Sequence, residues 1–309
     1  MPYYILRRLG HTVLVIFGIS LISFFFLHLS GDPVGLMLPQ DATREQLEAM
    51  RRTMGFDDPI ALQYLRFLAA ALRGDLGRSI YSGEPVAMLI LERMPATLEL
   101  AFTALVLALV IAIPIGVLAA VKRGSLIDTA SMLVALFGLS MPHFWLGIMF
   151  IMFFSVHLGW LPTSGRGGIE HLIMPAAALG LSLIALFARL TRSAMLEVLS
   201  QDYVRTARAK GLSERLVVGK HALKNALIPL VTVIGMEFGF LLGGAVIIES
   251  VFAWPGVGRL IVQAILDRDY PVVQAAVMFL AVIFVSMNLL VDLLYVWLDP
   301  NITFRKAER

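Results

Sequence analysis

The sequence contains no cysteine, which excludes disulfide bonds and thiolate metal sites. Charge is also scarce: Asp, Glu, Lys and Arg make up 15% of its 309 residues, whereas a soluble domain carries about 25%. Hydrophobic residues make up 59%. Because a soluble chain of this length needs more charge to solvate its surface, we expect an integral membrane protein.

Sequence patterns of common catalytic sites are missing too. No GxxxxGK[ST] stretch is present, so the chain has no loop of that kind to hold the phosphates of ATP, and no histidine pair has HExxH spacing. The six histidines are scattered along the chain: His11, His28, His143, His157, His171 and His221. We interpret each as a packed or interfacial side chain. We therefore expect no catalytic activity, no metal and no cofactor.

Six largely uncharged stretches, each near or above the about 20 residues that cross a bilayer, predict an all-α membrane protein with six transmembrane helices. We expect these helices at about residues 9–29, 97–121, 129–158, 171–192, 227–248 and 276–298. The first should be retained, because its apolar core exceeds the about 7–15 residues of a signal peptide. Pro142 should kink the third, because proline lacks a backbone N–H.

The short loops predict the orientation, since Lys and Arg accumulate on the cytoplasmic side. Lys122 and Arg123 lie between the second and third helices, whereas Arg166 stands alone in the next loop. A longer basic segment, from Arg189 to Lys224, lies between the fourth and fifth helices. We therefore predict that both termini are cytoplasmic.

The stretch that follows the first helix should lie outside and contain two short helices. Thr43 and Gln46 have the spacing of a capping box. Asp58 and Pro59 form an N-cap and first-turn pair, and Gly74 is expected to end this second helix. A lid, or a docking surface for an outer partner, suits a segment of this size.

These boundaries predict four parts. Residues 1–29 form a tail and the first transmembrane helix, and residues 30–96 form the outer loop. Residues 97–298 form a five-helix core, which includes a cytoplasmic loop at residues 193–226. Residues 299–309 form a cytoplasmic tail.

The cytoplasmic loop reads as a helix, a glycine and a second helix. Asp202 is expected to cap the first helix, Gly211 to occupy the position after its end, and Ser213 to cap the second. Arg205 and Arg208 are three residues apart and so share a face. The alternative is a basic loop that lies on anionic lipid headgroups, but the small residues among the charges favour protein docking. The predicted docking residues are Asp202, Tyr203, Arg205, Thr206, Ala207, Arg208, Ala209, Lys210 and Gly211.

The fifth helix carries glycines four residues apart, Gly235, Gly239 and Gly243, which should lie on one face and permit close helix approach. That face either packs within the chain or contacts a second transmembrane subunit along a pathway. Glu237 lies near mid-span, where an acid is costly and usually faces the bundle interior or a water-filled path. Asp292, on the last helix, is the other acid within a span.

A turn follows the fifth helix. Trp254 suits a membrane interface, and Pro255 and Gly256 force the chain to turn. One interpretation is a simple entry into an interfacial helix. The other is an outer gate element, and with the glycines and Glu237 these three residues complete the candidate pathway set.

Nearly the whole chain resembles the permease subunits of bacterial binding-protein-dependent ABC importers, in the oligopeptide and dipeptide branch. The resemblance rests on ILRRLG (5–10), GDP (31–33), GDLGRSI (74–80), GVLAAVKRGS (116–125), DYVRTARAKG (202–211), HALKNALIP (221–229), FAWPGVGR (252–259), RDYPVVQ (268–274) and NLLVDLLY (288–295). The general family has Glu-Ala-Ala, three residues, then Gly in its cytoplasmic loop. Only Ala207 and Gly211 match that pattern here, as is typical of the peptide branch.

The resemblance implies the architecture and the partners. It implies a type I importer permease in the bacterial inner membrane, paired with a second, related permease, two ATPase subunits and a solute-binding protein. The ATPases would hydrolyse ATP, and this chain would convert their motion into alternating access. Peptides are the expected cargo, with glutathione, nickel chelates or oligosaccharides as alternatives. An ATP-independent secondary transporter is the rival class, although no inverted repeat is evident.

The predicted topology can be tested with single cysteines, because the chain has none. In intact cells, Ser82→Cys should react with a membrane-impermeant thiol reagent and Ser213→Cys should not, since the first is predicted outside and the second inside. Both should react after the cells are opened. The reverse labelling pattern in intact cells would contradict the topology.

Overall fold

The computed structural model describes residues 2–29, 43–54 and 57–298. These residues are helical almost throughout and contain no β-strand, apart from one isolated bridge between Arg78 and Pro85. The predicted all-α class is confirmed. The α-helices in these ranges are α1 (Pro2–Leu29), α2 (Arg44–Met54), α3 (Ile60–Leu72), α4 (Val86–Val121), α5 (Leu126–Ser140), α6 (His143–Phe150), α7 (Ile169–Leu199), α8 (Asp202–Ala209), α9 (Glu214–Leu216), α10 (Leu223–Val251), α11 (Val257–Leu266) and α12 (Tyr270–Leu298).

Five helices in the described part of the chain are long and apolar enough to span a membrane, and a bent pair makes a sixth if its two halves form one span. The bent pair is α5 and α6, and α6 continues as a π-helix over Ile151–His157. The two halves meet at 100°. Proline explains the break, because the residue before it avoids the helical region, and Met141 is extended with φ −87° and ψ 128°. The third window is therefore two helices rather than one kinked helix.

Every spanning helix begins before the residue expected from the sequence. The largest differences are at α4, expected at 97 and starting at Val86, at α1, expected at 9 and starting at Pro2, and at α12, expected at 276 and starting at Tyr270. Charged residues interrupt the window of α4, but Val86, Ile90 and Met94 repeat every four residues on one buried face. This buried periodic face explains why α4 begins about three turns before its expected start.

Contacts divide the described chain into two compact units. Unit 1 comprises residues 1–97 and 255–286, and its core packs the start of α4 against α11 and the start of α12. Val257 and Ile261 of α11 lie in this core. The buried faces of three helices thus meet in a single apolar cluster.

Unit 2 comprises residues 98–254 and 287–309, and α7 packs against α5, α6 and α10. Close approach to α4 depends on glycine. A Cβ at Gly180 would lie 2.9 Å from the carbonyl oxygen of Ala104, and one at Gly116 would lie 2.6 Å from that of Ala188. Because glycine has no Cβ, the backbones of the neighbouring helices can approach this closely.

The short helices after α1 largely follow the sequence. Thr43 N donates to Gln46 Oε1 at 2.9 Å and Gln46 N donates to Thr43 Oγ1 at 3.3 Å, which confirms the capping box. Gly74, with φ +81°, follows α3 as predicted. The N-cap prediction at Asp58 was wrong. Pro59 holds that position, and the Asp58 carboxylate instead pairs with Arg66 across two turns of the helix.

The close contact at Gly116 gives a prediction with an internal control. Gly116→Ala should destabilise the protein, since overpacking costs about 1–3 kcal/mol and the opposing atom is backbone. Gly18→Ala should be neutral or stabilising, because no described atom lies within 4 Å of a Cβ there and alanine gains about 1 kcal/mol over glycine in a helix. Unfolding of the purified full chain in detergent measures both. Equal stabilities would contradict the close contact.

Candidate functional site

The basic loop contains the predicted helix, turn and helix. The helix α8 ends at Ala209, Gly211 takes a left-handed conformation with φ +76°, and Ser213 stands at the N-cap of the next helix. Gly211 therefore occupies the predicted position just beyond the helix end. The N-cap prediction for Asp202 was wrong, because Gln201 holds that position and Asp202 is the first helical residue.

The helix α8 has an anchored face and an open face. Val204 and Ala207 are buried and pack with Val217 in an apolar cluster, against partly buried side chains at the end of α7. Of the predicted docking residues, Ala207 thus anchors the helix instead of forming its surface. The others are exposed: Asp202, Tyr203, Arg205, Thr206, Arg208, Ala209, Lys210 and Gly211.

Polar contacts fix the turn. Arg208 Nε donates to Glu214 Oε1 at 2.9 Å, which joins α8 to α9 across Gly211. The amide of Asn225 donates to the Tyr203 hydroxyl at 2.7 Å and so joins α8 to α10. The exposed Arg208–Glu214 ion pair contributes only about 0–1 kcal/mol to stability. The effect of the two contacts is to hold the turn in one geometry.

A second apolar cluster connects the loop to the membrane helices. Ala120 at the end of α4, Met195 near the end of α7, and Ala222 and Ala226 around the start of α10 are buried together. With the cluster around Val204, this packing fixes the loop to the ends of the spans. A force applied to α8 would be carried into three helices of unit 2.

A buried ion pair that sequence patterns did not predict lies close to this junction. The Asp128 carboxylate, 5% exposed, accepts hydrogen bonds from Arg192 Nε at 2.5 Å and Nη2 at 2.8 Å. This bidentate ion pair, called the clasp below, joins α5 to α7. Gly124 N also donates to Asp128 at 3.0 Å, and Ser125 caps α5. The Ser-x-x-Asp pattern could have identified Asp128 as an end-of-helix residue. Its partner is 64 positions away, beyond any local pattern.

The three glycines on one face of α10 lie in different surroundings. A Cβ at Gly235 would overlap Val291 of α12, so this glycine serves packing within the chain. Gly239 is buried, whereas Gly243 is exposed and no described atom lies within 4 Å of its Cβ position. Glu237 is half-buried on the same helix. The side chain of Asp292 lies outside the described residues.

The turn after α10 encloses Trp254. Its indole is 1% exposed in unit 2, with the Arg166 guanidinium 5.9 Å from the ring centroid. Arg166 also donates to Glu99 at 2.8 Å. Packing and a cation–π contact thus surround the ring, and the placement of Trp254 at the membrane interface stays a prediction.

Pro255 and Gly256 belong to unit 1 and lead into α11, whose N-cap is Gly256. Val257 N donates to Thr97 Oγ1 at 2.9 Å, so this turn is fixed to α4. The role of Trp254, Pro255 and Gly256 as a gate stays a prediction.

In the described ranges, no three His, Cys, Asp or Glu side chains lie close enough together to hold a metal ion.

Long apolar helices, joined by a packed helical loop, are the architecture of a membrane-spanning protein. The chain belongs to the family described as "Binding-protein-dependent transport system inner membrane component", which matches residues 112–304. The related N-terminal family, "Binding-prot-dependent transport system membrane comp, N-term", matches residues 1–101. The resemblance noted in the sequence is confirmed.

Individual relatives agree along the full length. The glutathione transport system permease protein GsiC of Escherichia coli strain K12 is 44% identical over 306 residues, which cover 99% of this chain and 100% of GsiC. GsiC of Shigella boydii serotype 4 is 43% identical over the same coverage. The chain is thus a permease subunit of an ABC importer, in the peptide and glutathione branch.

Solved structures agree in fold. The inward-facing MetNI methionine ABC transporter matches with a TM-score of 0.59 and 23% identity over 69% of this chain and 97% of that one. A structure of an amino acid ABC transporter with histidines matches with a TM-score of 0.51 and 19% identity, over 67% of this chain and 92% of that one. These two likenesses show the fold alone.

The clasp between α5 and α7 yields a prediction for stability. Asp128→Asn should lower the stability of the protein, because it removes the charge that pairs with Arg192 and leaves that partly buried guanidinium without its counterion. The double variant Asp128→Asn/Arg192→Gln should recover part of that loss, since neither charge then remains. Unfolding of the purified full chain measures both. Additive losses in the double variant would show that the two side chains do not stabilise each other.

Proposed function

We propose that this chain is the transmembrane subunit of an ATP-driven importer of short peptides, and that glutathione is the first cargo to test. The supporting observation is the 44% identity to glutathione permeases along 99% of the chain. Glutathione is itself a tripeptide with one unusual γ-linkage, so it lies within the predicted peptide class. Its net negative charge and free thiol distinguish it from an ordinary tripeptide.

The open face of α8 is the proposed contact for an ATPase subunit. Arg205, Thr206 and Lys210 are exposed, while Val204 and Ala207 attach the same helix to the core. A helix bound on one face and buried on the other transmits displacement instead of absorbing it. ATP hydrolysis belongs to the ATPase, and this chain performs no chemistry.

The proposed route of force runs from α8 through α7 to α5. The apolar cluster around Val204 joins α8 to the end of α7, and the clasp from Arg192 to Asp128 joins α7 to α5. Displacement of the docking loop would then tilt these helices together. This is the movement that alternating access between inward-facing and outward-facing states requires.

The complete importer would contain a second, related permease, two cytoplasmic ATPases and a solute-binding protein that delivers cargo from outside. The lipid bilayer surrounds it, and nucleic acid has no part. Both termini are proposed to be cytoplasmic, which places the loop on the ATPase side. Glu237 and the glycines of α10 remain the candidates for lining the pathway.

Substitutions at Gly211 test this function in proteoliposomes that hold all subunits and internal ATP, with labelled glutathione and a labelled tripeptide outside. Gly211→Val should reduce uptake at least about tenfold, because a β-branched residue resists positive φ. Gly211→Asn should retain most uptake, because asparagine tolerates that conformation. A Cβ here meets no described atom within 4 Å, so a loss does not come from a clash within this chain, and Gly211→Asn controls for the added side chain at the ATPase contact.

Three outcomes would contradict the proposal. Uptake without ATP or ATPase subunits would indicate a secondary transporter. Full uptake and unchanged ATPase co-purification for Gly211→Val would remove the docking assignment. Uptake of neither glutathione nor the tripeptide, with ATP hydrolysis intact and stimulated by another cargo, would correct the substrate class while leaving the importer assignment in place.

A further inference from the structure

A groove in unit 1 lies between α1, α11 and α12. Its volume is about 640 Å³, within the range of about 300–1,000 Å³ that small-molecule sites occupy. Ile19 and Ile22 of α1 line one side, and Ile265, Val273 and Val277 of the other two helices line the rest. Most of this lining is hydrocarbon.

The first helix leaves this groove open. Only 11% of its most apolar window within Arg7–Phe25 is buried, so α1 stands mostly free of the helices described around it. The surrounding solvent at this depth is lipid, since the chain is an inner membrane permease. Water cannot stably fill an apolar groove there, so acyl chains are the available occupant.

One end of the groove is polar. Gln274 is 8% exposed, and its side-chain Nε2 has no hydrogen-bond acceptor among the described atoms. Its main-chain carbonyl accepts from Ser23 Oγ at 3.3 Å. Arg268 and Tyr270 lie at the same end, where the apolar part of α12 begins. Basic and aromatic residues at such a position are typical of the headgroup level.

The two carboxylates beside Arg268 hydrogen-bond to other residues and not to Arg268. Asp267 accepts from Gln263 Nε2 at 3.0 Å. Asp269 is buried, accepts from the Ser79 hydroxyl, and accepts from Ile80 N at 3.1 Å. Arg268 itself makes no ion pair with a described residue. The Arg268 guanidinium and the unpaired Gln274 Nε2 thus lie together at one end of an apolar groove. A ligand that combines a negative charge with a hydrocarbon chain would complement both the charge and the groove.

We propose that this groove binds one phospholipid, with an acyl chain between α1 and α12 and its phosphodiester held by Arg268 and Gln274. Arginine pairs with phosphate oxygens through a planar fork, and the buried Gln274 amide, whose Nε2 lacks an acceptor, becomes a further donor when its side chain turns into the groove. The lipid would fill the space that α1 leaves and fasten that helix to the rest of unit 1. This site is independent of the cargo and of ATPase docking.

Native mass spectrometry of the purified full chain with added phosphatidylglycerol tests the site. Arg268→Asn deletes the charge while tolerating the left-handed backbone at this residue, φ +57°. It should weaken lipid retention about tenfold, the size expected for one lost charge-assisted hydrogen bond. Val277→Trp should weaken it by filling the groove. The matched controls are Arg73→Gln, an exposed arginine of the same unit, and Val110→Trp on an exposed face of α4; both should behave as wild type.

The lipid's own chemistry provides the second comparison. Diacylglycerol, which lacks the phosphate, should bind the wild-type chain no better than phosphatidylglycerol binds Arg268→Asn. In the assembled importer, phosphatidylglycerol with a photoreactive acyl chain should label the segments around Ile22 and Val277 above other lipid-facing segments. Equal retention by all variants, or uniform labelling of every span, would show only general lipid solvation and overturn the proposal. Loss of labelling on assembly would assign the groove to another subunit's helix instead.

Discussion

The bilayer offers no water to backbone N–H and C=O groups, and the rest of this structure depends on that constraint. Each span must satisfy its own backbone by helical hydrogen bonds, so irregular backbone is confined to places where other groups protect it. At Met141 and Pro142 the irregular backbone is short, because the chain starts a new helix directly after a bend of 100°. Where helices must approach closely, glycine replaces a side chain, as Gly116 and Gly180 do.

Polar side chains join the helices near their ends, where each pair connects elements that are distant in sequence. Asp128 and Arg192 join α5 to α7, and Arg166 reaches Glu99. Within unit 1, the Asp269 carboxylate accepts from Ser79 and Ile80, so the segments 74–80 and 268–274 are in contact. Such pairs add little net stability relative to apolar packing, but removing one partner of the partly buried Asp128–Arg192 pair leaves a charge without its counterion. Their arrangement therefore specifies which helix ends meet.

The docking proposed for the cytoplasmic loop requires opposite properties in one segment. The loop would have to present charge to a partner and also stay rigid against the spans. The helix α8 meets both needs because its period places Val204 and Ala207 inward while Arg205 and Lys210 remain outside. The left-handed Gly211 then reverses the chain without a helix-length linker. A flexible basic loop of the same composition could bind a partner but would not carry its displacement to α7.

Much of this protein follows from local sequence physics. Uncharged windows determined the spans, Thr43 and Gln46 the capping box, and Gly211 the end of α8, because hydropathy, hydrogen-bonding reach and permitted φ values act over a few neighbouring residues. The tertiary structure alone decided the partners of those elements. Arg192 finds Asp128 across 64 positions, Trp254 is enclosed beneath Arg166, and Ala207 turns inward. Such contacts depend on which helices pack together, and the hydrophobic pattern of a single span does not encode its neighbours.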